Sequence, residues 1–360
     1  MEDLLVLDFK VKSIIHDYNV KFINNSPKII SQDIRNSDVF IIDRNIVEFY
    51  PQILKSIDSD NIVITIDANE DNKSYQKLTP VINKLIKIGF RKNHRLIGIG
   101  GGITQDITSF ISSIMYRGVS WIFFPTTLLA QGDSCIGSKT SINFGKYKNQ
   151  LGGFYPPNNI YIDINFLNTL TRAEIQSGFG EMCHYFLVSS KKDFDDYKLN
   201  YNKALSDQSL LPKIISRSLL IKKKYIEIDE FDQNERQIFN YGHSFGHAIE
   251  SLTNYKIPHG IAVSFGMDMA NFISVKMGFL KESIRKDIRE FLKQIWCGYN
   301  IENLDIDKFC NALSKDKKNI GDELRLILFK DYGKAFKTPV KNNSQFHDWL
   351  VEYFNKELLQ

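Results

Sequence analysis

Apolar residues in the first half of the chain fall into short uninterrupted runs: Asp38-Val-Phe-Ile-Ile-Asp43, Asn61-Ile-Val-Ile-Thr-Ile-Asp67, Arg95-Leu-Ile-Gly-Ile-Gly100 and Trp121-Ile-Phe-Phe-Pro125. Runs of this length without alternation predict strands covered on both faces. Between the second and third, Tyr75 to Ile88 carries apolar positions at helical spacing. Strand, helix and strand in this order predict β-α-β units and a mainly parallel sheet from Met1 to about Asp163. From Thr171 the pattern lengthens into helical periods: Thr171 to Ser189, Leu211 to Ile228, Glu235 to Leu252, Ile261 to Met277 and Lys281 to Trp296. Few strand-like runs remain apart from Leu324 to Phe329. A boundary between 165 and 172 follows, dividing an α/β domain, residues 1–170, from a helical domain, residues 171–360.

The third apolar run passes directly into Gly98-Ile-Gly-Gly-Gly102 and a helix from Ile103 to Met115, with Asp106 in its first turn. A glycine cluster alone serves many tight turns. Placed between a strand and a helix, it lets the backbone approach a pyrophosphate at a helix N-terminus, and so predicts a dinucleotide site. Downstream, residues 124–140 and 146–155 carry hydroxyls, glycines, an aspartate and lysines without a hydrophobic period. That composition predicts a loop-rich wall for a polyhydroxylated, phosphorylated ligand.

Of the seven histidines, His243, His247 and His259 fall within seventeen residues. A lone histidine is more often a satisfied core residue, but three in a glycine-punctuated segment point to a metal site. Such a site needs about three protein ligands and one open position. His243 and His247, four apart, share a helix face, which admits both as ligands. Glu181 is the candidate of another type, because it stands among Phe179, Met182, Tyr185, Phe186 and Leu187, where an unpaired charge is costly. Metal coordination would relieve that cost. With the glycine turn in one domain and these residues in the other, the site is expected in a cleft between the two.

Composition narrows the classes further. At 43% hydrophobic and 24% charged, the 360 residues have the balance of a soluble globular protein. No apolar run of membrane-spanning length occurs, and the acidic start Met1-Glu-Asp predicts no signal peptide. Cys135, Cys183, Cys297 and Cys310 lack CxxC spacing, which fits reduced thiols in the cytoplasm, Cys183 serving as a small buried hydrophobe. Net charge is +4 with the two signs intermixed, and Lys222-Lys223-Lys224 has no interleaved aromatics. This argues against a nucleic-acid surface and leaves small anionic substrates.

The motifs, taken in order, resemble those of the 3-dehydroquinate synthases and related sugar phosphate cyclases. They are Gly100-Gly-Gly-Ile-Thr-Gln-Asp106, Tyr116-Arg-Gly118, Pro125 through Ser134, Gly137-Ser-Lys-Thr140, Lys148-Asn149, Gly180-Glu181, Asn240 through Glu250, His259-Gly260 and Asp316-Lys-Lys318. The resemblance covers about Asp43 to Leu328. It implies a Rossmann-like NAD-binding domain followed by an all-α domain holding one zinc or cobalt ion, in a homodimer. The implied metal ligands are Glu181, His243 and His259. His247, which the helix-face argument admits as a ligand, would instead face the substrate phosphate with Lys139, Asn149 and Asn240, and Arg117 would reach in from the partner subunit. NAD would be held by Asp43, Asn45, Glu70, Lys73, Gly101, Gly102, Asp106, Thr126, Thr127, Lys148 and Thr169. Asp133, Lys222, Arg236 and Lys317 or Lys318 would bind the sugar acid.

The implied reaction is cyclisation of a 3-deoxy-ulosonic acid phosphate with loss of phosphate, NAD being reduced and reoxidised within one turnover. Four departures bear on it. His184 stands where those synthases carry a substrate-facing lysine, Ile261 replaces a glutamate that would support His259, Gln105 replaces the glycine of a Gly-Asp pair after the glycine turn, and Ser138 replaces a glycine before Lys139. His184 could serve as a substrate contact or, through Glu-x-x-His spacing, as an extra ligand. A cyclase making another cyclitol and a metal-dependent NAD polyol dehydrogenase are the alternatives. A polyol dehydrogenase has no need of Lys139, Asn149 and His247.

Overall fold

In the computed structural model, which describes residues 7–145, 147–301, 304–314 and 323–358, the first half of the chain builds nine strands. They are β1 (Phe9–Val11), β2 (Tyr18–Ile23), β3 (Val39–Asp43), β4 (Ile62–Ile66), β5 (Leu96–Gly100), β6 (Trp121–Pro125), β7 (Lys139–Phe144), β8 (Tyr147–Phe154) and β9 (Asn159–Asp163). Seven of them form one sheet in the order β1-β2-β9-β6-β5-β3-β4, parallel except for the antiparallel β1–β2 pair. The four runs read from the sequence are β3 to β6, side by side. Every residue of β5 and β6 is buried, which is why neither alternates. One face of the sheet packs Phe40, Ile42, Ile97, Ile99, Ile122 and Phe124 against Ile30, Ile46 and Ile53 from helices.

The loop-rich wall expected at 124–155 is corrected in part. Its C-terminal portion is an antiparallel hairpin, β7–β8. All but two residues of β8 are exposed, so no buried face left an apolar pattern to read.

By contacts the chain divides into two compact units: Met1–Leu170 with Gln208–Phe231, and Thr171–Asp207 with Asp232–Gln360. A single division near 170 assigns the helix Leu211–Ile226 to the helical half. In the structure that helix belongs to the α/β unit, where Ser218 Oγ donates to Gly132 O at 2.8 Å. Helical periodicity says that a face is buried and does not say against which core.

The second unit is largely helical. Thr171 caps the helix Arg172–Ser189 in a reciprocal capping box with Glu174. The stretch Glu235 to Leu252, expected as one helix, is a short 3₁₀ turn, Glu235–Asn240, followed by a helix, His243–Leu252. Gly242, with φ of +83°, makes the break. The helices His259–Lys276 and Glu282–Ile295 follow, and β10 (Glu323–Phe329) pairs with β11 (Ala335–Lys341). Among the described residues no helix is long and apolar enough to cross a membrane.

Candidate functional site

Each of the three metal candidates adjoins a glycine, and the structure gives the reason. A Cβ on Gly180 would lie 2.2 Å from Gly260 O, and one on Gly260 would lie 1.8 Å from Ser177 O. On Gly266 it would meet Gly242 O at 2.0 Å. The helices carrying Glu181, His243 and His259 therefore touch backbone to backbone at positions where any side chain would hold them apart. Gly260 N also donates to Ser177 Oγ at 3.0 Å. This close crossing puts donor atoms of Glu181, His243 and His259 all within 4.8 Å of one another. Both histidines open their helices, so two N-terminal dipoles favour the anionic glutamate.

His243 Nε2 lies 3.3 Å from Glu181 Oε1 and His259 Nε2 lies 3.3 Å from Glu181 Oε2. Bonds of about 2.0–2.1 Å to a tetrahedral ion set neighbouring donors about 3.3 Å apart, so each imidazole stands at a ligand's spacing from one oxygen of the carboxylate. Glu181 is buried, and its Oε2 has no hydrogen-bond partner. The imidazole edge of His259 faces that oxygen, and one carboxylate with two imidazoles is a donor set that fits a divalent metal. Burial by itself would raise the Glu181 carboxyl, yet the imidazoles of His243 and His259 outweigh it and hold it well below the usual range. Burial would lower His259, and there Glu181 and Glu250 prevail and raise it.

Glu250 is the residue the sequence reading passed over. Its Oε2 lies 3.0 Å from His259 Nδ1, on the ring edge opposite the one facing Glu181. The expectation that Ile261 deprives His259 of a supporting carboxylate is thereby corrected. The carboxylate comes from the preceding helix, while Ile261 is fully buried. Its position one turn beyond His247 was the available signal. His247 is exposed, its ring 5.6 Å from those of both His243 and His259, and it forms a second cluster with Glu250 and His259, their donor atoms likewise within 4.8 Å of one another. His184 is buried, its ring 5.3 Å from that of His243 and its Nδ1 4.0 Å from Glu181 Oε1. Cys183 lies outside these clusters, its buried thiol pushed up by desolvation. Arg236 is buried on the 3₁₀ turn, and Asn240 Nδ2 donates to Gln237 O at 2.8 Å.

The α/β unit assembles the other candidates. Gly101 caps the helix Gly102–Ile114 directly beyond β5. Gly100 and Gly101 let Thr104 and Thr127 pack close, since a Cβ would come 2.3 Å from Thr104 Oγ1 and 2.9 Å from Thr127 Cγ2, while one on Gly102 would meet only Ser134 Oγ at 3.9 Å. Such a bare helix start fits a pyrophosphate. Asp43, at the end of β3, accepts from Asn45 N at 3.1 Å. Thr126 is buried, Thr127 partly so, and Thr169 Oγ1 lies 3.0 Å from the Tyr50 hydroxyl.

Lys73 Nζ lies 2.6 Å from both Asp106 Oδ2 and Asn149 Oδ1, which links the helix start to β8. Burial pushes the Asp106 carboxyl up to about 6 against the pull of Lys73. Glu70 accepts from Asn143 at 2.8 Å and has Lys148 at 3.8 Å. Asp133 sits on a π-helical turn, Ala130–Ser134, a form common at functional sites. Buried Lys222 donates to its Oδ1 and its carbonyl, each at 2.7 Å. Lys139 is exposed at the start of β7, and Arg117 is exposed in a strained turn with φ of +60°. Lys317 and Lys318 lie outside the described residues.

A crystal structure of 2-deoxy-scyllo-inosose synthase complexed with carbaglucose-6-phosphate, NAD+ and Co2+ matches this fold with a TM-score of 0.81 at 22% identity, covering 96% of this chain and 98% of that one. The 2-epi-5-epi-valiolone synthase of Streptomyces hygroscopicus subsp. jinggangensis, with NAD+ and Zn2+ bound, matches with a TM-score of 0.83 at 21% identity, covering 95% and 97%. The chain thus shares its fold with these two synthases. In sequence, the 3-dehydroquinate synthase of Dictyoglomus thermophilum is 38% identical over 276 residues, 76% of this chain and 77% of that protein. Residues 63–177 match the 3-dehydroquinate synthase N-terminal family and residues 178–319 the C-terminal one. This chain belongs to the 3-dehydroquinate synthase family.

Proposed function

We propose that this chain converts a 3-deoxy-ulosonic acid phosphate, most simply 3-deoxy-arabino-heptulosonate 7-phosphate, to 3-dehydroquinate with elimination of phosphate. The gathering of one ligand atom each from buried Glu181 and from His243 and His259 within 4.8 Å of one another is the observation that carries the reading. Those three residues would hold a zinc or cobalt ion, and the Gly101-Gly102 turn with Asp43 and Asp106 would hold NAD. When bound, NAD supplies a reversible hydride acceptor and the divalent ion a Lewis acid that acidifies a substrate hydroxyl.

With an ion bound, Glu250 would accept the His259 Nδ1 proton and leave Nε2 to face the ion beside Glu181. Lys139 and Asn149, with His247 and Asn240, bind the phosphate and favour its departure as a dianion through charge-assisted hydrogen bonds. Arg236 binds the substrate carboxylate as a planar fork, and Lys222, oriented by Asp133, adds a second positive charge. The protein is proposed to act in the cytoplasm as a homodimer, Arg117 reaching the partner's site.

The test is phosphate release from 3-deoxy-arabino-heptulosonate 7-phosphate with catalytic NAD+ and zinc or cobalt, the product followed by mass. Phosphate and a carbocycle without net NADH are expected. Steady NADH from an unphosphorylated polyol would instead make the chain a dehydrogenase. A second reading, a cyclase for a different sugar phosphate, is favoured by His184 lying within 4.0 Å of the metal-binding carboxylate where relatives present a lysine. Turnover of another sugar phosphate in preference to the heptulosonate would establish it.

A further inference from the structure

The turn Gly137-Ser138-Lys139 leading into β7 is held against its own conformational preference. Lys139 N donates to Gly137 O at 2.8 Å, closing a three-residue turn whose central residue, Ser138, has φ of +64°. Turns of this kind with positive φ at the centre are the strained form, costing a residue with a side chain on the order of 1–3 kcal/mol. The surroundings enforce it. Gly137 N donates to the Tyr18 hydroxyl at 3.0 Å, Ser138 O accepts from Tyr155 N at 2.6 Å, and Ser138 Oγ donates to Glu230 Oε1 at 2.7 Å.

Glu230 is buried, 4% exposed, and also accepts from Ser13 Oγ and Ile14 N at 2.7 Å each. One carboxylate thus ties together three segments distant in sequence, all in the α/β unit. A bland account makes Glu230 an anchor for residues 13 and 14 alone. That account leaves unexplained why a strained serine, one residue before an exposed lysine, shares the same oxygen as Ser13.

We infer that Glu230 and Ser138 are positioning residues for Lys139: the buried carboxylate locks the strained serine turn and thereby fixes where Lys139 leaves the backbone to meet the substrate phosphate. The inference rests on the phosphate role of Lys139 proposed above. Glycine would adopt this turn without strain but would leave it loose, whereas serine exchanges strain for a bond to a fixed carboxylate.

The experiment uses the full chain loaded with NAD+ and zinc, and compares Ser138→Ala, Ser138→Gly, Glu230→Gln and Lys139→Ala. Read out are KM and kcat for the heptulosonate phosphate, the inhibition constant of inorganic phosphate, NAD+ affinity and zinc content. Ser138→Ala keeps the strain and loses the bond, so KM and the phosphate inhibition constant should rise about tenfold with NAD+ affinity and zinc unchanged. Ser138→Gly should recover to within about threefold, because glycine enters the turn freely. Wild-type phosphate affinity in Ser138→Ala beside a large loss in Lys139→Ala would overturn the positioning role while sparing the phosphate role. No loss in Lys139→Ala would overturn the phosphate role, and this inference with it. Should Glu230→Gln fold poorly, the Ala and Gly pair at 138 carries the comparison by itself.

Discussion

Single side chains in this protein act through the one behind them. His259 is held on one ring edge by Glu250 and faces Glu181 on the other, so its ring is oriented by a residue that would not touch the ion. Glu250→Ala should weaken zinc binding about 10–100-fold in a chelator competition, with Gln recovering most of it as a neutral acceptor. Unchanged affinity in the alanine variant would make Glu250 a bystander. Asp106 offers a pH signature. Its carboxyl titrates at about 6 in the folded protein against 3.8 ordinarily, so the folded state holds the proton more tightly. The contribution to stability is full below the ordinary value and is lost as pH rises through the folded one. Relative to Asp106→Asn, the wild type should lose about 2–3 kcal/mol between pH 4 and 7 in urea titrations without cofactor. Parallel stability curves would return Asp106 to an ordinary carboxyl.

At the level of elements, function depends on how closely helices approach. Gly180 and Gly260 meet where backbone atoms would lie 2.2 and 1.8 Å from an added Cβ, so neither clash can be relieved by turning a flexible side chain. Gly180→Ala should cost about 3 kcal/mol or more and release the metal, since separating the helices moves Glu181 away from His259. Metal content and the melting temperature should fall together, and retained zinc with a normal melt would mean the crossing is not what sets the site.

Behind the same helix, Asp268 is fully buried against Arg285, Arg289 and the Tyr353 hydroxyl, and Arg285 also pairs with Glu357 at 2.8 Å. Asp268→Asn should destabilise by about 3–5 kcal/mol in denaturant unfolding, because two buried guanidiniums lose their shared anion. A smaller effect, under about 1 kcal/mol, would place their compensation elsewhere.

For the whole molecule, the proposed exchange of Arg117 between subunits gives a test that no property of one chain can mimic. Arg117→Ala and His243→Ala should each be inactive alone. A co-expressed heterodimer of the two should regain about half of wild-type activity, one of its two sites having both groups intact. No recovery in a verified heterodimer would place Arg117 in its own subunit's site or outside the chemistry.

Strands β3 to β6, the glycine turn after β5 and the candidate donors Glu181, His243, His247 and His259 were legible in the sequence, because continuous apolar runs, glycines at fixed places and a glutamate among apolar neighbours are local signals; the choice of His259 over His247 came from the family resemblance. Strands β2 and β8 were illegible, since β8 is exposed and β2 alternates, leaving no continuous run. Which core the helix Leu211–Ile226 joins was settled by packing in three dimensions. The tertiary structure also decided that Glu250 supports His259, and that Glu230 reaches residues 13, 14 and 138 at once. These are pairings between residues far apart in the chain or on different helices, fixed by packing, and periodicity along the sequence carries no term for them.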